Sequence, residues 1–168
     1  MKNEASVLPL KPEVGKVLVT GWGVTATATL TQELARRGRS VETVETGTSP
    51  TQAKIDAAVA SAARADVTVV LVNRVWTSNA QKALVRALQG ANKSVVVVSV
   101  REPYDLAHLP DVSTYVATYG YQPVSMKALA RVLVGEVNPS GHLPVSIPEA
   151  GTGSGVLYPM GHGLSYDG

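Results

Sequence analysis

The chain has 168 residues, a formal charge of +2 and no cysteine. That length points to one domain, able to bury roughly 70% of its unfolded surface. The missing cysteine excludes disulfides, thiolate metal sites, iron–sulfur clusters and a cysteine nucleophile, and the absence of a basic excess argues against a nucleic-acid partner. Hydrophobic residues at 45% and charged residues at 17% argue against disorder. The apolar set is 27 Val, 20 Ala and 15 Leu against 2 Ile and no Phe. Small and β-branched side chains suit Val-rich strands covered by Ala-rich helices. The opening Met1-Lys2-Asn3-Glu4 lacks the apolar core of a secretory signal. No apolar run approaches the ~18 residues of a membrane span, so no membrane partner is expected.

Lys16–Thr20 reads as the first strand. Ala26–Arg37 reads as a helix closed by Gly38, the residue type that follows a helix C-terminus. Val41–Thr46 alternates with period two, as a more exposed strand does. Thr51 precedes a helix over Gln52–Arg64, with Ile55, Val59, Ala62 and Ala63 at helical spacing. Val67–Val72 is a continuous apolar strand, buried on both faces. Ser78 caps a helix over Ala80–Leu88, which Gly90 is expected to end. Ser94–Val100 is a second buried strand and Thr114–Thr118 a further one. The last helix is Val124–Val134, ended by Gly135. Pro and Gly dominate from Asn138 onward. Leu143–Ile147 is a candidate edge strand, and Gly151–Gly155 has a flexible composition.

This strand–helix alternation predicts a three-layer α/β/α sandwich: a mostly parallel open sheet of five to six strands, of flavodoxin-like or Rossmann-like type. Ligands of such sheets bind outside the carboxyl ends of the strands. Those ends fall at residues 21–23, 46–49, 73–79, 101–105 and 119–122.

Gly21-Trp22-Gly23-Val24-Thr25-Ala26 fits G-x-G-x-x-A between a strand and a helix, and Glu45 follows Gly21 by 24 positions. One reading is a nucleotide site, with pyrophosphate on the helix N-terminus and Glu45 on the ribose. The other is a tight turn whose backbone needs glycine. His108, His142 and His162 lack metal-motif spacing, and no metal site is expected. Retaining glycosidases need two carboxylates about 5 Å apart. At strand ends the sequence offers Glu102 and Asp105. The preferred reading is that Glu102 lies in an extended turn before Pro103 and Asp105 caps a short helix. The loop Asn73–Asn79 carries Arg, Asn and Ser groups able to bond hydroxyls, with Trp76 able to stack on a pyranose face. The same loop also reads as a helix cap over which Trp76 packs.

Three segments carry a specific resemblance. Gly135-Glu136-Val137-Asn138-Pro139-Ser140-Gly141-His142-Leu143-Pro144-Val145 is similar to the GE-NPSG-LPV segment of glycoside hydrolase family 3. Leu157-Tyr158-Pro159-Met160-Gly161-His162-Gly163-Leu164-Ser165-Tyr166 resembles that family's YPFGHGLSY ending, with Met160 in place of Phe. Lys2-Asn3-Glu4, followed by Leu8-Pro9-Leu10, resembles the segment where the family's chain leaves its barrel. Order and spacing agree over essentially the whole chain.

Within the family, Arg101–Leu106 and Ala117–Tyr121 resemble the β-N-acetylhexosaminidase branch. The resemblance implies a first domain, a TIM barrel bearing the aspartate nucleophile. In the hexosaminidase branch a His-Asp pair on that barrel is the acid/base; in many β-glucosidase relatives it is a glutamate on the second domain. The loop Asn73–Asn79 has no glutamate, in agreement with the former. The chain is then the second domain: residues 1–15 a linker from the barrel, 16–148 the sandwich, 149–168 a Gly/Pro-rich tail.

The resemblance implies no catalytic residue, cofactor or metal in this chain. Its partners would be the barrel and a carbohydrate substrate at the domain interface. Arg74, Trp76, Asn79, Arg101 and Tyr104 are the candidates for the substrate wall. The resemblance also turns Gly21–Ala26 into a structural connection. Two alternatives stand beside this reading: a nucleotide-binding domain using Gly21, Gly23 and Glu45, and a non-catalytic carbohydrate-binding or docking module.

Overall fold

The computed structural model describes residues 1–151 and 154–166. The strands are β1 (Lys2–Asn3), β2 (Lys16–Gly21), β3 (Ser40–Glu45), β4 (Val67–Val72), β5 (Val95–Ser99), β6 (Thr114–Ala117), β7 (Ile147–Pro148) and β8 (Val156–Tyr158). The helices are α1 (Val24–Arg36), α2 (Gln52–Ala62), α3 (Asn79–Ala91) and α4 (Pro123–Leu133). Six strands form one sheet in the order β1-β6-β5-β4-β2-β3. All pairs are parallel except β1, which runs antiparallel to β6 with Lys2 opposite Tyr115.

Period-two alternation splits the core between the two faces. Val17, Val19, Val69, Val96 and Val98 pack with Leu30 and Leu34 of α1 and Met126 and Leu133 of α4. Leu18, Val70, Val72, Val95 and Val97 pack with Ala58 of α2 and Leu84 and Leu88 of α3. β4 and β5 are buried throughout, which is why they read as apolar runs interrupted only by Thr68 and Ser99. β3 closes one edge with Glu42 and Glu45 in its run, a composition that discourages further pairing.

The three-layer sandwich is as expected, and Gly38 and Gly135 take positive φ just past α1 and α4. Ser78 caps α3 by accepting the N–H of Gln81 at 3.2 Å. Gly90 does not stop α3. The helix runs to Ala91, and Asn92 turns the chain out. The Asn92 amide donates to Ala62 O at 3.0 Å and Ala65 O at 2.8 Å, while its oxygen accepts Ser94 N–H at 2.7 Å.

Leu143–Ile147 does not join the main sheet; Ile147 and Pro148 pair antiparallel with β8 in a separate two-stranded ribbon. The physical reason is that the edge beyond β6 already holds β1. Residues 1–15, expected as linker, thus supply β1, and they bury Leu8 and Leu10 in the core. Of the expected flexible stretch Gly151–Gly155, residues 152 and 153 lie outside the described residues.

Candidate functional site at the carboxyl edge of the sheet

Strand order reverses between β2 and β4, where the chain first moves to β3 and then returns to the other side. At such a switch point the loops diverge and leave a crevice. Gly21 ends β2 at φ 96°, and a Cβ there would sit 2.1 Å from Leu71 O of β4. Glycine is required by that close approach, and the Trp22 N–H then bonds Leu71 O at 2.8 Å.

Glu45 does lie beside α1, but its carboxylate faces inward. It accepts the N–H of Gly23 at 3.2 Å and of Gly47 at 2.9 Å. No acidic residue occupies the first turn of α1, so Glu45 supplies the negative charge that its N-terminus favours. A pyrophosphate would meet that carboxylate in its own place. The glycine turn is therefore explained by packing, and the nucleotide reading loses its acid.

The loop after β4 is held from three sides. Arg74 takes φ 54°, a left-handed conformation uncommon for a side-chain-bearing residue. The Gln81 amide brackets Asn73, accepting its N–H and donating to its carbonyl, both at 2.9 Å. Ser78 Oγ donates to Thr48 O at 2.7 Å, tying this loop to the one after β3. A 3-10 turn at Val75–Thr77 then presents Trp76 to solvent.

Asp105 is the third hold, and it corrects the sequence expectation. It does not cap a helix; it lies inside the 3-10 segment Pro103–His108 with no solvent exposure. Its Oδ1 accepts the Val75 N–H at 2.7 Å, and its Oδ2 lies 2.8 Å from Ser99 Oγ. Ser99 Oγ also donates to Glu102 O. A hydroxyl has one proton and a carbonyl only accepts, so the set closes fully when Asp105 is protonated. Burial raises the Asp105 pKa, in the same direction.

Glu102 is in the extended conformation expected before Pro103. Its carboxylate, however, reaches the neighbouring loop. Oε1 accepts Trp76 Nε1–H at 2.9 Å and lies 3.8 Å from Arg74 Nε. The Arg74 guanidinium carbon sits 4.8 Å from the Trp76 ring centroid. One face of the indole is thus covered, its edge is fixed, and 44% of the residue remains exposed.

Of the five expected wall residues, Arg74 and Trp76 are brought into contact. Tyr104 lies on the next loop, exposed. Asn79 opens α3 and Arg101 follows β5; both are exposed and make no side-chain hydrogen bond or ion pair among the described residues. Sequence reasoning passed over Glu102 as a partner of Trp76, and over Tyr119 and Tyr121. Tyr119, at φ 54°, and Tyr121 follow β6 and are both exposed. Tyr121 meets Trp22 edge-on, with centroids 5.1 Å apart. Five of the eight aromatic side chains, Trp22, Trp76, Tyr104, Tyr119 and Tyr121, therefore sit on loops at this edge. Their position after β2, β4, β5 and β6 is the signal that would have found them.

Among the described residues the edge carries no free pair of acids: Asp105 is buried with both oxygens engaged, Glu102 is held by Trp76 and Arg74, and Glu45 by Gly23 and Gly47. Among the described residues no group of three His, Cys, Asp or Glu is placed to hold a metal ion. No helix among them is long and apolar enough to cross a membrane.

Residues 1–166 match the family model described as the glycosyl hydrolase family 3 C-terminal domain. A periplasmic β-glucosidase of Salmonella typhimurium (strain LT2) is 29% identical over 68% of this chain and 21% of that protein. The chain thus spans about a fifth of the length of that curated relative. A fungal multi-domain protein described as a family 3 β-N-acetylglucosaminidase has a solved structure with TM-score 0.76 and 25% identity, matching 94% of this chain and 18% of its own. A family 3 β-N-acetylglucosaminidase from Paenibacillus sp. FPU-7 gives TM-score 0.71 and 27% identity, over 82% of this chain and 28% of its own. A family 3 exo-β-xylosidase shares the fold, with TM-score 0.78 at 20% identity over 99% of this chain and 29% of its own.

Proposed function

The chain belongs to the glycosyl hydrolase family 3 C-terminal domain family, and from this we propose that it is the second domain of a glycosidase whose catalytic barrel precedes it. The parent hydrolyses terminal β-linked N-acetylglucosamine with retention, through a covalent glycosyl-enzyme intermediate. This domain braces the barrel and forms one wall of the substrate cleft. The observation that carries the reading is the Arg74–Trp76–Glu102 cluster, exposed at the carboxyl edge among further tyrosines.

The substrate-wall roles follow from chemistry. The open face of Trp76 stacks on the C–H face of a pyranose. Arg74 and Arg101 donate to hydroxyl or acetamide oxygens, Asn79 both donates and accepts, and the Tyr104 hydroxyl does the same. The N-acetylglucosaminide preference is supported by a loop 73–79 without glutamate and by the two β-N-acetylglucosaminidase likenesses. The chemistry itself is supported as lying elsewhere by the engagement of Asp105 and Glu102, which leaves no nucleophile and acid/base pair on this edge.

The test is steady-state kinetics of the parent on a chromogenic β-N-acetylglucosaminide. Trp76→Ala is expected to raise KM about three- to tenfold with kcat nearly unchanged, since stacking on this wall binds substrate and transition state alike. An unchanged KM would remove Trp76 from the cleft.

A further inference from the structure

We propose that Tyr119 is a further substrate-binding residue, which with Tyr104 holds the sugar ring next to the one stacked on Trp76, so that the parent favours an oligosaccharide over a single substituted sugar. This rests on the reading above, in which the carboxyl edge is a wall of a glycosidase cleft.

Three side-chain-bearing residues among those described have positive φ: Ser6 at 51°, and Arg74 and Tyr119 at 54°. A left-handed backbone costs such a residue free energy that glycine avoids. Outliers of this kind gather where a side chain is needed in a fixed place. Ser6 closes a tight turn, its N–H donating to Asn3 O at 3.1 Å. The other two lie at the carboxyl edge, after β4 and β6. Arg74 has a visible use, since it covers one face of Trp76. Tyr119 has no such use inside the domain. It is 47% exposed, and its hydroxyl makes no hydrogen bond among the described residues.

The neighbours of Tyr119 impose its conformation. The Thr118 N–H donates to Ser99 O at 3.0 Å, and Thr118 Oγ1 donates to Gly120 O at 2.8 Å. Gly120 is packed so closely that a Cβ would lie 2.8 Å from Ser125 Oγ. The chain is thus fixed on both sides of Tyr119. Ser99 is also the residue whose Oγ meets Asp105, and Asp105 holds Val75. One residue of β5 therefore ties the loop of Tyr119 to the loop of Trp76. Their separation is set before a ligand binds, which lowers the cost of binding.

That separation points to the ligand. β4 and β6 flank β5, so the strand ends carrying the two loops stand about 10 Å apart, two interstrand spacings. One pyranose ring does not span that distance, so a ring on Trp76 leaves Tyr119 for its neighbour. Tyr104 stands between them, on the loop after β5. Burial, and then the nearby Tyr104 phenol, raise the Tyr119 pKa, so the hydroxyl stays neutral and can both donate and accept. Aromatic faces with neutral hydroxyls suit an uncharged sugar.

The experiment measures kcat/KM of the parent on a β-1,4-linked disaccharide of N-acetylglucosamine and on the methyl β-glycoside of the single sugar. Both leaving groups are alkoxides, so the pair isolates binding of the second ring. Tyr119→Gly should lower the disaccharide value about tenfold more than the methyl glycoside value. Tyr119→Phe should recover most of that difference, because the ring supplies the stacking. The urea midpoint of the Tyr119→Gly chain should stay level or rise, since glycine adopts this φ freely. Equal losses on the two substrates, or none on either, would overturn the proposal. A fall in the midpoint without a selective loss would make Tyr119 a packing residue and overturn it as well. Where Trp76→Ala still raises KM, the glycosidase wall stands without Tyr119; where neither substitution changes KM, both readings fall.

Discussion

Asp105→Ala is expected to lower the unfolding free energy by about 3 kcal/mol, whereas Asp105→Asn should stay within about 1 kcal/mol of the unsubstituted domain at neutral pH. The difference lies in what each substitution leaves behind. Alanine strands the buried Val75 N–H and removes one of the two partners of Ser99 Oγ, leaving it only the Glu102 carbonyl. Asparagine keeps the shape: its oxygen accepts from Val75, and its amide donates to Ser99 Oγ as the protonated carboxyl does. Urea unfolding of the three proteins measures this directly.

The same site gives a pH signature. Burial raises the folded-state pKa of Asp105 above its unfolded value of about 3.9. The folded protein then holds this proton more tightly than the unfolded chain. The contribution is fully present below the unfolded pKa and is lost as pH rises through the folded pKa. Relative to Asp105→Asn, the unsubstituted domain should therefore gain stability as the solution is acidified toward pH ~4. A pH-independent difference would mean that folding leaves the Asp105 pKa unshifted, and a loss of stability on acidification would mean that it is shifted downward. Because this carboxyl fixes Val75, next to Trp76, the alanine variant should also loosen the proposed cleft wall.

Gly21→Ala should be the more damaging of the glycine substitutions, costing about 4 kcal/mol or more and bringing the domain near the limit of its stability. The added Cβ would lie 2.1 Å from Leu71 O and 2.8 Å from Leu71 N, both backbone atoms of the central strand β4. Neither can move without breaking the β2–β4 ladder. Gly38→Ala serves as the comparison. It too has positive φ, at 79°, but nothing lies within 4 Å of its Cβ position. Only the conformational term remains there, about 1–2 kcal/mol. Equal unfolding midpoints for the two variants would mean that the Gly21–Leu71 approach is not rigid.

The sheet was legible because valine runs and buried strands coincide: Val67–Val72 and Val95–Ser99 are apolar but for Thr68 and Ser99 and have no exposed position. Helix starts and ends were legible where a local residue fixes them, as Ser78 and Gly135 do. Gly90 misled because a helix tolerates glycine when a later residue, here Asn92, supplies the exit. Spacing placed Glu45 at the end of its strand, where β3 does end, yet its role depended on which way the carboxylate turned. The site was less legible because its contacts are distant in sequence. Asp105 meets Val75 thirty positions away, and Glu102 meets Trp76 twenty-six positions away. No local pattern around Arg101–Asp105 encodes either partner. The family resemblance read from Asn138–Val145 and Leu157–Tyr166 supplied what periodicity lacked, and the family match over residues 1–166 agrees with it.

The most direct test of the account is hydrolysis of a chromogenic β-N-acetylglucosaminide by this 168-residue chain, measured beside the parent at equal concentration. Turnover is expected from the parent and none above the buffer rate from the chain alone. Turnover by the chain alone, abolished by a substitution on its carboxyl edge such as Glu102→Gln, would contradict it by placing the catalytic groups in this domain.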